Sequence, residues 1–133
     1  MNQKKLELIK YRLEQAESSL KDAEFLLENK RGSFSIINRC YYAIFYSVLA
    51  LLVDKQFVGS KHSGVISFFD KEFVNKGIFH KKFSKIFHKA FDMRGKSDYK
   101  EFVEYSYEKI EPLLSQAKEF VSEVKKFLMK GYQ

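Results

Sequence analysis

The chain has 133 residues, a formal net charge of +7, 17% aromatic side chains, six glycines and one proline. Its length is typical of one domain with one buried core, and we expect a single domain over residues 1–133. So few glycine and proline residues exclude the turn-rich pattern of an all-β protein, and the single cysteine excludes an intrachain disulfide framework.

The first predicted helix has an apolar side chain at every third or fourth position. These positions are Leu6, Ile9, Leu13, Ala16, Leu20, Ala23 and Leu27. Such a stripe indicates a helix that packs along a partner helix. After it, Gly32 is predicted to be the left-handed residue that ends the helix, and Ser33 to cap the next one.

The second predicted helix, over about 34–54, is apolar on nearly every side and is therefore expected at the centre of the fold. Its polar side chains fall at steps of three and four: Ser35, Asn38, Arg39, Tyr42 and Tyr46. The side away from this stripe is expected to be core or dimer contact: Tyr41, Phe45, Val48 and Leu52. The apolar run over 40–53 is too short to cross a bilayer, and no signal core precedes it, so we expect a cytoplasmic protein without a membrane contact.

Three more helices are predicted in the second half of the chain. Ser60 or Ser63 is expected to cap the third, which Gly77 closes. The fourth covers about 79–94, ends at Gly95, and has the apolar positions Phe83, Ile86, Phe87 and Ala90. Pro112 lacks an N–H donor, so the fifth helix is expected either to start or to kink there. The pattern predicts an all-α, up-and-down bundle of four to five helices.

The positive charge is concentrated in the middle of the chain. Between Lys55 and Lys100 there are 11 lysines and arginines against four acidic residues, while outside this window the two signs balance. A basic surface of this kind is typical of proteins that meet anions. For the lysines of the fourth helix, a solvated face and an interaction surface both remain open.

Few residues fit a catalytic or metal-binding pattern. The chain has three histidines and one cysteine, none with paired metal-ligand spacing, so no metal or cofactor is predicted. Ser60, His62 and Asp98 form a triad only if their geometry is assumed, and the chain has neither a GxSxG motif nor a P-loop.

Three motifs in order, "NRCYYAIFYSVLALL", "SKHSGVISFFDKEFVNKG" and "RGKSDY", resemble the HEPN (higher eukaryotes and prokaryotes nucleotide-binding) domain family, in its small stand-alone prokaryotic branch. The resemblance extends from the first helix to about Leu128. It implies a bundle of four or five helices that pairs as a homodimer. It also implies a minimal nucleotidyltransferase partner, and in some pairs a toxin and antitoxin of which the toxin is an RNase.

The motif around Arg94 departs from the family pattern. In toxic members, a metal-independent site is built from an arginine, a short spacer and a histidine, whereas here no histidine follows His88. Asp98 is expected to be ionised at pH 7, and the ordinary pKa of a tyrosine such as Tyr99 is too high for a base. Arg94 can still hold phosphate, so binding is favoured over catalysis and enzymatic activity is left open. In some pairs the partner attaches AMP to a tyrosine, for which Tyr99 is the nearest candidate.

The predicted function is the binding of nucleotide or RNA phosphates in a cleft of the bundle, together with the nucleotidyltransferase partner. The predicted binding residues are Asn38, Arg39, Tyr42, Ser60, Lys61, His62 and Arg94, and the candidate catalytic residues are Arg94, Asp98 and Tyr99. Structural alternatives are a helix-dipole role for Arg94, an ion pair between Arg94 and Asp98, and an ordinary helix cap at 60–62. Alternative functions are an RNase toxin that uses Arg94 with Asp98 or His62, and a purely structural dimeric adaptor.

Overall fold

The structure, a computed structural model, describes residues 2–59, 61–98 and 103–131. Within these ranges there are five α-helices and no β-strand, so the predicted all-α bundle is confirmed. The helices are α1 (Gln3–Glu28), α2 (Ser33–Asp54), α3 (His62–Phe69), α4 (Lys81–Ser97) and α5 (Tyr107–Lys130). A π-helical turn over Asp70–Val74 continues α3.

Helix α1 forms as its apolar stripe predicts, with Ile9, Leu13, Ala16 and Ala23 buried. Its end differs from the prediction, because the left-handed residue is Lys30, with φ of 50°. The Arg31 amide donates to the Leu26 carbonyl at 2.9 Å, which closes a Schellman motif.

The predicted positions are therefore wrong by two residues for the left-handed end of α1, which is Lys30 in place of Gly32, and by one residue for the cap of α2, which is Gly32 in place of Ser33. Gly32 has a φ of 95° but is the residue before α2, while Ser33 is the buried first residue of that helix. The Schellman motif, with Lys30 as its left-handed residue, already satisfies the last carbonyls of α1. The end of α1 therefore does not require a glycine.

Helix α2 is the central element, and α1, α3, α4 and α5 all pack against it. Helix α2 is long and apolar enough to cross a membrane, by length and composition alone. However, 67% of its most apolar 18-residue stretch is buried inside the bundle, as in the core helix of a soluble domain. Tyr41, Phe45, Val48 and Leu52 lie in this core. Burial also raises the pKa of the Cys40 thiol to about 12, so this thiol stays protonated and unreactive.

Helix α3 begins one residue after the extended Lys61, whose carbonyl accepts from the Val65 amide. Ser63 consequently lies in the first turn, and its prediction as the cap is wrong, while Ser60 lies outside the described residues. The π-helical turn that continues α3 is followed by Gly77, which has a φ of 75° and closes this helical segment as predicted.

Helix α4 runs through Gly95 to Ser97, so the prediction that Gly95 ends it is wrong. Two hydrogen bonds support the extra turn, from the Ser97 hydroxyl to the Arg94 carbonyl and from the Val103 amide to the Lys96 carbonyl. Helix α5 begins five residues before Pro112, so Pro112 lies inside it and does not start it.

An aromatic cluster joins the second half of the chain to the bundle. The Phe69 ring is fully buried, and its centre lies 5.1 Å from that of Phe120 on α5 and 6.0 Å from that of Phe87 on α4. Phe79 lies 5.6 Å from the same ring. Pairs at these distances add attraction to the area they bury, so this cluster fixes α3, α4 and α5 relative to one another.

Candidate functional site

The polar stripe of α2 lies in an open trough between α1 and α4, which we call the α2 trough. Both helices pack on α2, but within the described residues they do not contact each other. Asn38, Arg39, Tyr42 and Tyr46 are half-buried on its floor. Because these side chains are only half-buried, part of each remains accessible from solvent.

Two arginines lie against one tyrosine ring in this trough. The guanidinium carbon of Arg39 is 5.5 Å from the centre of the Tyr42 ring, and that of Arg94, from α4, is 5.4 Å from the same centre. Arg94 is also 5.3 Å from the centre of the Tyr41 ring. Cation–π contacts of this kind place each positive charge against the Tyr42 ring.

The donors of these arginines are incompletely used. The Asn38 side-chain oxygen accepts from Nη2 of Arg39 at 2.8 Å and so orients that guanidinium. Arg94 reaches the Tyr42 hydroxyl only at 3.5 Å, and its buried Nε has no acceptor among the described residues. No carboxylate of the described ranges forms an ion pair with either arginine. Such donors favour an anionic ligand.

His62, at the start of α3, reaches the same group. Its Nδ1 is 2.6 Å from the hydroxyl oxygen of Tyr41, and its ring stacks on Phe45 with the ring centres 4.5 Å apart. Burial, and then the positive charge of Arg94, lowers the pKa of His62 below its usual value. The imidazole is therefore neutral at pH 7, with Nε2 as the ring nitrogen that does not face Tyr41.

Sequence reasoning missed Tyr41, which it assigned to the core. The side chain is indeed buried, and burial raises the pKa of its hydroxyl, so the group stays protonated. A buried tyrosine hydroxyl needs a partner, and this requirement was the available signal. The sequence contains three histidines and cannot show that His62 is the partner.

The shifted pKa of His62 predicts a pH dependence of stability. Because the unfolded chain takes up this proton more readily than the folded one, His62 makes stability fall as pH drops below about 6.5. The loss ends once pH is below the lowered pKa of the folded state. We expect His62→Gln, which does not titrate, to lose less stability on acidification.

Urea unfolding of both proteins at pH 8 and pH 5 measures this effect. The free energy of unfolding of wild type minus that of the variant is expected to be larger at pH 8 than at pH 5. An identical difference at the two pH values would contradict it.

The remaining predicted residues are more scattered. Lys61 is exposed immediately before His62, and Asp98 is half-buried with an extended backbone just after α4. Ser60 and Tyr99 lie outside the described residues. Among the described residues no group of three or more histidine, cysteine or acidic side chains could hold a metal ion. The structure thus brings together Asn38, Arg39, Tyr42, His62 and Arg94.

Comparison with known proteins gives the family. A UPF0332 protein of Thermotoga maritima is 39% identical over 128 residues, which are 96% of this chain and 96% of that protein. Two Methanocaldococcus jannaschii proteins, named "Putative toxin MJ0605" and "Putative toxin MJ0142", are 38% and 35% identical over 87% and 88% of this chain, and the matches span 85% and 79% of those proteins. The family model for the HEPN domain matches residues 9–127. The chain therefore belongs to the HEPN domain family.

Proposed function

We propose that this chain binds phosphate groups of a nucleotide or RNA in the α2 trough and acts with a minimal nucleotidyltransferase partner as half of a toxin–antitoxin pair. The observation that carries the proposal is the placement of Arg39 and Arg94 within 5.5 Å of one tyrosine ring. The two relatives named as toxins support the toxin–antitoxin setting.

The chemistry of the trough suits a phosphate. Guanidinium groups bind phosphate oxygens through charge-assisted hydrogen bonds. The half-buried guanidinium of Arg94 has no carboxylate partner among the described residues, which leaves its charge available to such a ligand.

Nucleotide binding at low salt tests this function. We expect adenosine monophosphate to bind and adenosine, which lacks the phosphate, to bind at least tenfold more weakly, because the phosphate makes the charged contacts. Affinity for single-stranded RNA is expected to fall steadily as salt rises. If neither ligand binds in low salt, the phosphate-binding function is wrong, and a structural adaptor whose basic surface meets an acidic protein becomes the better description.

The partner is inferred from the family and not from contacts within this chain. A reading frame for a small nucleotidyltransferase beside this gene, and co-purification of the two products, would support the pair. We further propose that the chain works in the cytoplasm and forms a homodimer. Size-exclusion chromatography with light scattering tests the dimer directly.

RNA cleavage is a second candidate function, favoured by the placement of His62 beside Arg94. In this reaction the 2′-oxygen attacks phosphorus, the bond to the 5′-oxygen breaks, and the 5′-oxygen leaves with a proton from water. His62 Nε2 takes the 2′-hydroxyl proton, which requires Nδ1 to carry a hydrogen and donate it to the Tyr41 oxygen. The lowered pKa of His62 keeps this base neutral at pH 7.

Cleavage of RNA in the presence of EDTA tests this candidate. We expect His62→Ala to abolish cleavage while RNA binding persists, because Arg39 and Arg94 remain. The matched control is His80→Ala, which removes an exposed histidine that caps α4 away from the trough. Absence of cleavage by wild type would rule out this second function and leave the binding function intact.

A further inference from the structure

A hydrogen bond of a buried tyrosine connects the core of the bundle to the proposed phosphate site. The Tyr41 hydroxyl oxygen lies 2.6 Å from Nδ1 of His62, and the Tyr41 side chain is fully buried. Among the described residues this hydroxyl has no other hydrogen-bond partner. The direction of this one bond therefore determines which ring nitrogen of His62 carries the hydrogen.

We propose that Tyr41 donates this hydrogen bond and so keeps the hydrogen of neutral His62 on Nε2, which makes His62 a hydrogen-bond donor to a phosphate held by Arg94. Tyr41 is then a positioning residue that acts through His62. This inference rests on the proposed phosphate-binding function and adds an uncharged donor to the two arginines of the site.

The number of hydrogens and acceptors fixes the direction of the bond. A neutral imidazole has one N–H group and one acceptor nitrogen, and a phenol has one O–H group. If Nδ1 of His62 carried the hydrogen and donated it, the buried O–H of Tyr41 would have no acceptor among the described residues. A buried donor without an acceptor lowers the population of such a form by about tenfold or more. The form in which the hydroxyl donates therefore dominates.

The surroundings of His62 Nε2 agree with a donor role. The buried side-chain atoms that have no partner within the described ranges belong to Arg12, Asp70 and Arg94, and Nε2 of the half-buried His62 is not one of them. No hydrogen bond joins Nε2 to another described residue. Nε2 is therefore open to solvent and to a ligand.

His62 and Arg94 lie against the same two tyrosine rings. The centre of the His62 ring is 5.6 Å from that of Tyr41 and 5.9 Å from that of Tyr42. The guanidinium carbon of Arg94 is 5.3 Å and 5.4 Å from the same two centres. Burial, and then the charge of Arg94, lowers the pKa of His62, so the imidazole contributes a hydrogen bond at pH 7 and not a charge.

The direction of this bond also distinguishes between the two candidate functions. Cleavage of RNA requires a free Nε2 that takes a proton, whereas phosphate binding uses an Nε2 that carries one. A hydrogen bond donated by Tyr41 to Nδ1 of His62 therefore favours binding over cleavage.

Nitrogen-15 NMR of the histidine rings at pH 8 tests the role of Tyr41. The chemical shifts of the ring nitrogens show which of them carries the hydrogen, and we expect Nε2 in His62. His80 is an internal standard, because its Nδ1 accepts from the Lys82 amide at 3.0 Å and its hydrogen must be on Nε2. We expect Tyr41→Phe to give a mixture of both forms at His62 and no change at His80. A hydrogen on Nδ1 of His62 in wild type would overturn this inference and leave phosphate binding in place.

Calorimetry with adenosine monophosphate at low salt tests the donor role of His62. We expect His62→Ala to bind about tenfold more weakly than wild type, because one hydrogen bond is lost. His62→Gln has an amide N–H that can replace Nε2–H, and it should restore most of the affinity. Tyr41→Phe should weaken binding, whereas Tyr107→Phe, which loses a hydroxyl bonded to the Gly32 amide, is the matched control and should not. Thermal melts establish that each variant is folded.

The outcomes separate this inference from the proposed function. Wild-type affinity of His62→Ala for adenosine monophosphate overturns the donor role and leaves binding by the arginines in place. Failure of wild type to bind adenosine monophosphate overturns the proposed function and the donor role together. The NMR result then still decides whether Tyr41 sets the position of the hydrogen on His62.

Discussion

Phe69→Ala is expected to lower the free energy of unfolding by about 3–5 kcal/mol, the usual cost of removing a buried phenylalanine ring. Phe69 is fully buried, and its ring lies between Phe120 on α5 and Phe87 on α4. A domain of this size has a total stability of about 5–15 kcal/mol, so the loss is a large share of it. Urea unfolding followed by circular dichroism measures the change.

A matched substitution separates the effect of removing a buried ring from the effect of removing an exposed phenylalanine. Phe25 on α1 is 63% exposed, and Phe25→Ala is expected to change stability by no more than about 0.5 kcal/mol. Phe69→Leu, which refills part of the cavity, should fall between the two. Equal effects of Phe69→Ala and Phe25→Ala would mean that the aromatic cluster does not hold the bundle together.

Helix positions in this protein follow from the sequence because apolar spacing reports burial directly. The stripe through Ile9, Leu13 and Ala16 predicted α1, and the nearly all-apolar α2 was recognisable as the central helix. Helix ends were less predictable, as Gly95 shows. A glycine permits a helix to end but does not force it, and at this glycine two later hydrogen bonds stabilise a further turn.

The candidate site was only partly predictable for a related reason. The stripe of Asn38, Arg39 and Tyr42 is visible as polar spacing within one helix, because residues three and four apart share a face. Their proximity to His62 and Arg94 depends on how α3 and α4 pack on α2, which no local pattern specifies. The hydrogen bond between Tyr41 and His62 joins a core position to a helix start and has no signature in sequence spacing.

The placement of His62 near Arg94 changes the interpretation of the loop after α4. The family resemblance implied a histidine shortly after Arg94, and the sequence contains none there. In the folded chain the His62 imidazole, at the start of α3, is close enough for the charge of Arg94 to lower its pKa. A missing motif in one segment therefore does not exclude the corresponding chemistry, since another segment can supply the group.

Replacing both Arg39 and Arg94 with glutamine is expected to weaken RNA binding at low salt by at least about a hundredfold. Under the proposed function each guanidinium donates charge-assisted hydrogen bonds to phosphate, and loss of one such contact weakens binding about tenfold or more. Each lost phosphate contact should also make the dependence of log affinity on log salt shallower by about 0.7 for a single strand. Fluorescence anisotropy with a labelled single-stranded RNA over a salt series measures both quantities.

Lys89→Gln is the matched control, because it removes a positive charge from α4 on the side where Lys89 donates to Gln116 of α5. Its effect on RNA affinity should be small, since that side of α4 lies away from the α2 trough. Thermal melts of all variants would show that they remain folded. If the double arginine variant bound RNA as tightly as the Lys89 variant, with the same salt dependence, the phosphates would have to bind outside the trough. The convergence of Arg39 and Arg94 on Tyr42 would then be a means of packing α4 against α2 through cation–π contacts.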